Sequence, residues 1–133
     1  MNDDNKNIIL IKRLHNIWND CNINDVKNVY SNDFIVHWPT SWGGTSEGID
    51  NINKTIEETH DIFHEWNEKV IDLIASGDRV VTRYISSGFH LSSGNEIEFE
   101  EVSIYRIQDN KVVEQWCFGN EGLLNSQTNT IKS

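Results

Sequence analysis

The chain has 133 residues, 37% hydrophobic and 24% charged, with 11 Lys and Arg against 21 Asp and Glu and a formal charge of −10. That length suits a single domain, residues 1–133, with a sizeable core. The composition argues against wholesale disorder, and the acidic balance argues against nucleic acid and anionic membrane surfaces, which require clustered positive charge.

No apolar run reaches the roughly 18 residues of a spanning helix. The start, Met1-Asn2-Asp3-Asp4-Asn5, is acidic and polar, unlike a secretory signal, so the expected location is cytoplasmic. Cys21 and Cys117 read as unpaired reduced thiols, with one long-range disulfide left open.

The first predicted element is a helix. Leu10, Leu14, Ile17, Trp18 and Cys21 form a single apolar stripe, and the Asn19 to Asn24 stretch ends it. A short second helix carries Val26, Val29 and Tyr30. Phe34 to Trp38 reads as a strand that Pro39 stops, and residues 40–46 read as a loop. A third helix is expected from about Glu47 to Phe63, capped by Ser46, with Ile49, Ile52, Ile56, His60 and Phe63 near one face.

Four strands follow: Val70 to Ile74, Val80 to Ile85, Ile97 to Ile107 and Val112 to Phe118. Gly77-Asp78, Ser92 to Asn95 and Asp109-Asn110 are the turn signals between them. The tail, about 126–133, reads as frayed. Helices grouped early and a late meander predict an α+β fold, with helices on one face of an antiparallel sheet. A twisted meander curling around the helices leaves a cavity at one open end, the usual setting for a small-molecule site.

Several runs are similar to a known family. They are Gly77-Asp78-Arg79-Val80 at a hairpin turn, Gly88-Phe89-His90, and Ile104-Tyr105-Arg106-Ile107 followed by Asp109-Asn110-Lys111-Val112-Val113-Glu114 and Trp116. Val36-His37-Trp38-Pro39 and Glu47-Gly48-Ile49 match more weakly. In order and spacing these resemble the SnoaL-like polyketide cyclases over most of residues 8–125. The resemblance implies a cystatin-like, nuclear transport factor 2-like cone, with three N-terminal helices packed on a curved, mixed, mostly antiparallel sheet. It also implies a deep apolar pocket for a small apolar molecule, no cofactor, and a homodimer built on the sheet.

In that family an intramolecular aldol closure is served by an aspartate four residues after the tryptophan. Here Trp116 is followed by Cys117, Phe118, Gly119 and Asn120, so an amide stands at that position. An amide has no usable basicity, whereas proton abstraction beside a carbonyl needs a group that accepts a proton near neutral pH. Asn120 can still orient a substrate oxygen, or it can cap the tail turn. On the cyclase reading, Asn120→Asp should raise aldol-type activity.

His37 and His90 are the titratable candidates, either as acid/base groups or as half-buried histidines satisfied by backbone. Glu101 is a third candidate. It shares a face with Ile97, Phe99, Ser103, Tyr105 and Ile107, where an inward carboxylate would have a raised pKa. The bland reading is a rim or dimer-interface carboxylate, since Glu is mostly exposed. Trp38, Trp42, Tyr84, Phe89, Tyr105, Trp116 and Phe118 are candidate pocket walls, with Trp42 in its Gly-rich loop a candidate lid. His60 and His64 stand at i, i+4 on the expected helix, a spacing that can serve metals, but they lack the motifs of a metal site. Two readings emerge: a cofactor-independent cyclase, isomerase or hydrolase, and a non-catalytic ligand-binding or dimerisation module using the same pocket.

Overall fold

The computed structural model describes residues 3–128. Helix α1 (Asp3–Asp20) stops at Cys21, whose φ of 53° is left-handed. A 3-10 turn (Ile23–Asp25) and the short α2 (Val26–Val29) lead into β1 (Tyr30–His37). The segment after Pro39 holds a 3-10 turn (Thr40–Trp42) and a short strand, β2 (Thr45–Glu47). Helix α3 (Ile49–Ile62) follows, then β3 (Phe63–Ser76), β4 (Arg79–His90), β5 (Asn95–Gln108), β6 (Lys111–Gly119) and α4 (Glu121–Thr128).

The six strands form one mixed sheet in the order β2-β1-β6-β5-β4-β3. β1 runs parallel to β6, and all other pairings are antiparallel. The β5–β6 turn uses Asp109 and Asn110 at φ 54° and 59°, the left-handed pair that matches the twist of a two-residue hairpin. The architecture is α+β, with helices packed on a curved sheet.

Three expectations change. Helix α3 begins after Gly48, not Ser46, and ends at Ile62. His64 therefore lies on β3, and the helical i, i+4 histidine pair does not exist; the His60 ring is bonded instead to the Trp18 carbonyl. β3 starts seven residues before the expected Val70, with Glu65 at φ 56° in a break of register between His64 and Asn67. The tail is helical through Thr128, while 129–133 lie outside the described residues.

The core has two apolar parts. The larger packs Leu10, Ile11, Leu14, Ile17 and Trp18 of α1 against Val26, Tyr30 and Phe34, Ile52 and Ile56 of α3, and Val80, Tyr105 and Val112 of the sheet. The smaller groups Trp66, Ile97 and Phe99 with Trp42, Phe63 and Leu124. Buried polar side chains from α1, β3, β4, β5 and β6 include His15, Glu68, Thr82, Ser86, Glu101, Ser103 and Gln115. A folded chain retains such groups only when they are paired, because each costs free energy if left bare.

Candidate functional site

A cavity of about 300 Å³ lies between the sheet, α1 and α3, with walls from both apolar clusters and the polar side chains. Its floor is built by strand alternation. Tyr84 pairs across the ladder with Glu101, Thr82 with Ser103, and Ser103 with Cys117, so each of these residues faces the helices.

Glu101 is 6% exposed and lines the cavity. Its Oε1 accepts from Ser86 Oγ at 2.5 Å and its Oε2 from Cys117 Sγ at 3.1 Å. Burial pushes its pKa up from 4.5 to about 7, and the charge of Glu68 adds to the rise; bonds from Ser86, Cys117 and Tyr84 hold it back. Burial and the same carboxylate push the Cys117 thiol well above its usual range. Cys117 therefore serves as a donor to Glu101 and not as a thiolate nucleophile.

Glu68 also lines the cavity. Its Oε1 lies 2.8 Å from His15 Nδ1, and its Oε2 accepts from Trp66 Nε1 at 3.1 Å. The other nitrogen of His15 lies 3.1 Å from Thr82 Oγ1 and 3.2 Å from Tyr105 Oη. With Nδ1–H donating to the carboxylate, Nε2 accepts from the Tyr105 hydroxyl, which in turn accepts from Thr82 Oγ1 at 3.5 Å. The Asn19 side chain grips the backbone of Glu68, accepting from its N–H at 2.6 Å and donating to its carbonyl at 3.2 Å. This clamp between α1 and β3 fixes the carboxylate just past the register break. Burial keeps the Tyr84 and Tyr105 hydroxyls protonated, so both are donors as well as acceptors.

The mouth is formed by Thr55, Glu58, Thr59 and Ile62 of α3, by Trp42 and by Leu124 of α4. Trp42 packs edge-on to Phe99 at 5.5 Å. It also covers Gly119, where a Cβ would stand 2.9 Å from Trp42 Cζ3. Ser41 anchors this loop by donating from both its N–H and its hydroxyl to Glu121 Oε1, which lowers the Glu121 pKa.

Of the residues singled out from sequence, Glu101, Trp38, Trp42, Tyr84 and Tyr105 line this cavity and the others do not. His37 lies toward the opposite face, 2.7 Å from Glu114 Oε2 and stacked on Trp116 at 5.5 Å. His90 sits at the end of β4, where its Nδ1 bonds Ser93 Oγ at 2.7 Å. Phe118 is 55% exposed, and Phe89 is also exposed at the sheet's end. Asn120 is exposed and caps α4, its Oδ1 accepting from Leu123 N at 2.9 Å.

Sequence reasoning missed Glu68 and His15. A signal for His15 was present: Ile11, His15 and Trp18 follow i, i+4, i+7, which puts the imidazole on the inward side of α1. Among the described residues, no group of three or more His, Cys, Asp or Glu is arranged to hold a metal.

The sequence profile of the SnoaL-like polyketide cyclases matches residues 8–127. The chain belongs to this family. No curated protein matches it at a significant level. TsrD from Streptomyces laurentii superposes with a TM-score of 0.85 at 17% identity, over 98% of this chain and 100% of that one. IdmH from Streptomyces antibioticus, described as a candidate polyketide cyclase, gives 0.80 at 20%, over 89% and 94%. A protein of ketosteroid isomerase-like fold from Catenulispora acidiphila, crystallised with trimethylamine, gives 0.81 at 13%, over 90% and 91%. At these identities the likeness is one of fold. Among the described residues, no helix of this family member is long and apolar enough to cross a membrane.

Proposed function

We propose that this SnoaL-like protein is a cofactor-independent acid/base enzyme acting on a small, largely apolar carbonyl compound, with Glu101 as its working carboxyl group. The observation that carries this reading is the buried carboxyl of Glu101 lining the cavity, where burial pushes its pKa up to about 7. A general base is most effective when its pKa lies near the working pH. The ionised Glu101 removes a proton from the carbon beside the carbonyl, leaving an enolate and a neutral carboxyl. That carboxyl then returns the proton to the same or a different atom. The donor available to the enolate oxygen is Trp42 Nε1, which is buried in the lining with no partner among the described residues.

The position matching the family's aspartate is not needed for this chemistry. Asn120 is engaged at the start of α4, while Glu101 pairs with Gly119 on the adjacent strand. The carboxyl function has in effect moved across one ladder. The trimethylamine held by a protein of the same fold supports a site for small organic molecules in this architecture.

The same reading takes the protein as cytoplasmic and as a homodimer through the outer sheet face, where Trp116 and Phe118 lie on β6. It expects no nucleic-acid or membrane partner.

The test is protein-catalysed hydrogen–deuterium exchange at the α-carbon of a panel of aryl ketones and β-keto esters, followed by NMR in D₂O. Exchange should be catalysed by the wild type and fall by roughly 10²–10⁴-fold in Glu101→Gln. Binding without exchange in the wild type would instead favour the non-catalytic ligand-binding module.

A further inference from the structure

Among the described residues that line the cavity, the charged side chains are all carboxylates. Glu58 stands at the rim and Glu68 and Glu101 line the interior, and no Lys, Arg or His is among the lining residues. The walls between them are aromatic: Trp18, Trp38, Trp42, Phe63, Trp66 and Phe99. Gln115, 3% exposed and also in the lining, donates its Nε2 to Ser103 and leaves its Oε1 without a partner. The interior thus offers carboxylate and amide oxygens as acceptors and the negative faces of aromatic rings, with Trp42 Nε1 as its unpartnered donor among the described residues.

Two of the four lining indole N–H groups are already committed, Trp18 to Tyr30 and Trp66 to Glu68. An anionic ligand would meet two buried carboxyl groups whose partners are an imidazole and neutral donors, with no Lys or Arg in the described lining. Water-excluding walls of one sign concentrate the field inside the cleft. A cation wrapped in methyl or methylene groups meets the reverse situation. Ring faces attract it, most strongly where water is excluded, and carboxylates neutralise it.

From this we infer that the ligand is a compact organic cation, a protonated tertiary amine or a quaternary ammonium, caged by the tryptophans and paired with the carboxylates of Glu68 and Glu101. The inference rests on the reading of this cavity as the ligand site, and it narrows the substrate to a molecule bearing such a nitrogen. The volume of about 300 Å³ equals the liquid share of roughly ten waters, enough for one ring and one trimethylammonium group.

Two isosteric probes separate charge from shape, phenyltrimethylammonium and its neutral counterpart tert-butylbenzene, and the smaller benzoate serves as the anion. Four of the protein's five tryptophans line the cavity, so quenching of intrinsic fluorescence reports occupancy, and calorimetry gives the affinity. The cation should bind at least about tenfold tighter than the neutral isostere, with benzoate not binding. In Glu101→Gln the cation should lose about tenfold while tert-butylbenzene is unchanged. Equal or weaker binding of the cation, with the isostere still bound, overturns the inference and leaves the cavity as a ligand site. Failure of all three probes to bind overturns both.

Discussion

Glu101 on β5 stands directly opposite Gly119 on β6, and the next residue, Asn120, turns the chain out of the sheet and caps α4. A carboxyl on β5 therefore points into the cavity beside the place where β6 leaves it. The absence of a side chain on Gly119 has a second consequence, because Trp42 and the Glu101 side chain both close over that position.

Glu101 should be a stability liability that grows with pH. Its folded pKa, about 7, lies above the ordinary 4.5, so the native state holds a proton that the unfolded chain has released between those values. Stability then falls as pH rises through that window and levels off above it. At about 1.4 kcal/mol per pH unit, the difference is about 3 kcal/mol. Urea unfolding of Glu101→Gln should match the wild type at pH 4.5 and exceed it by about 3 kcal/mol at pH 8. A difference that does not vary with pH would count against a buried, ionisable Glu101.

Asn120→Asp should not create activity. Either side chain accepts from the Leu123 N–H, and Asp caps a helix about as well as Asn. Asn120→Ala should cost about 1 kcal/mol, read as a lower urea midpoint. A large gain of α-proton exchange or aldol closure in Asn120→Asp would show that the residue reaches the reacting centre.

His37→Ala should leave exchange within about twofold of the wild type. Its imidazole is committed to Glu114 and Trp116 away from the cavity, and the bond from His37 is the main cause of the lowered Glu114 pKa. Loss of this half-exposed pair should cost on the order of 1 kcal/mol or less. A hundredfold loss of exchange would assign His37 to the chemistry.

Gly119→Ala should displace Trp42. The added methyl would collide with the indole and crowd Glu101 Cγ at 3.3 Å, so the ring has to leave its seat on Phe99. The emission maximum should shift red and probe affinity should drop by about tenfold or more, since one wall of the aromatic cage is lost. Unchanged emission and affinity would mean that Trp42 does not cover the site.

Much of the scaffold is legible in the residues. Gly77-Asp78 and Asp109-Asn110 announce their turns, and the Leu10 to Trp18 stripe announces α1. What could not be read was set by tertiary context. Helix periodicity runs through His60 and His64, and only the register break at Glu65 turns the chain into β3 and aims Trp66 and Glu68 inward. The facing of Glu101 is ambiguous in sequence because Val102 and Ile104, on the opposite side of β5, are apolar as well; that face is half-buried in the structure. α4 looks like a tail because its composition is polar, yet Leu124 packs onto the Trp66 cluster and closes the cavity. The site was legible as a set of aromatic walls and one odd glutamate, but its second carboxylate and its histidine were not.

The most direct measurement is the titration of the Glu101 side-chain carboxyl by ¹³C NMR, assigned by comparison with Glu101→Gln. A midpoint near 7 is the expected result. A midpoint at the ordinary value of about 4.5 would contradict the account, because a fully ionised, solvated glutamate could not be the poised acid/base group of an enclosed cavity.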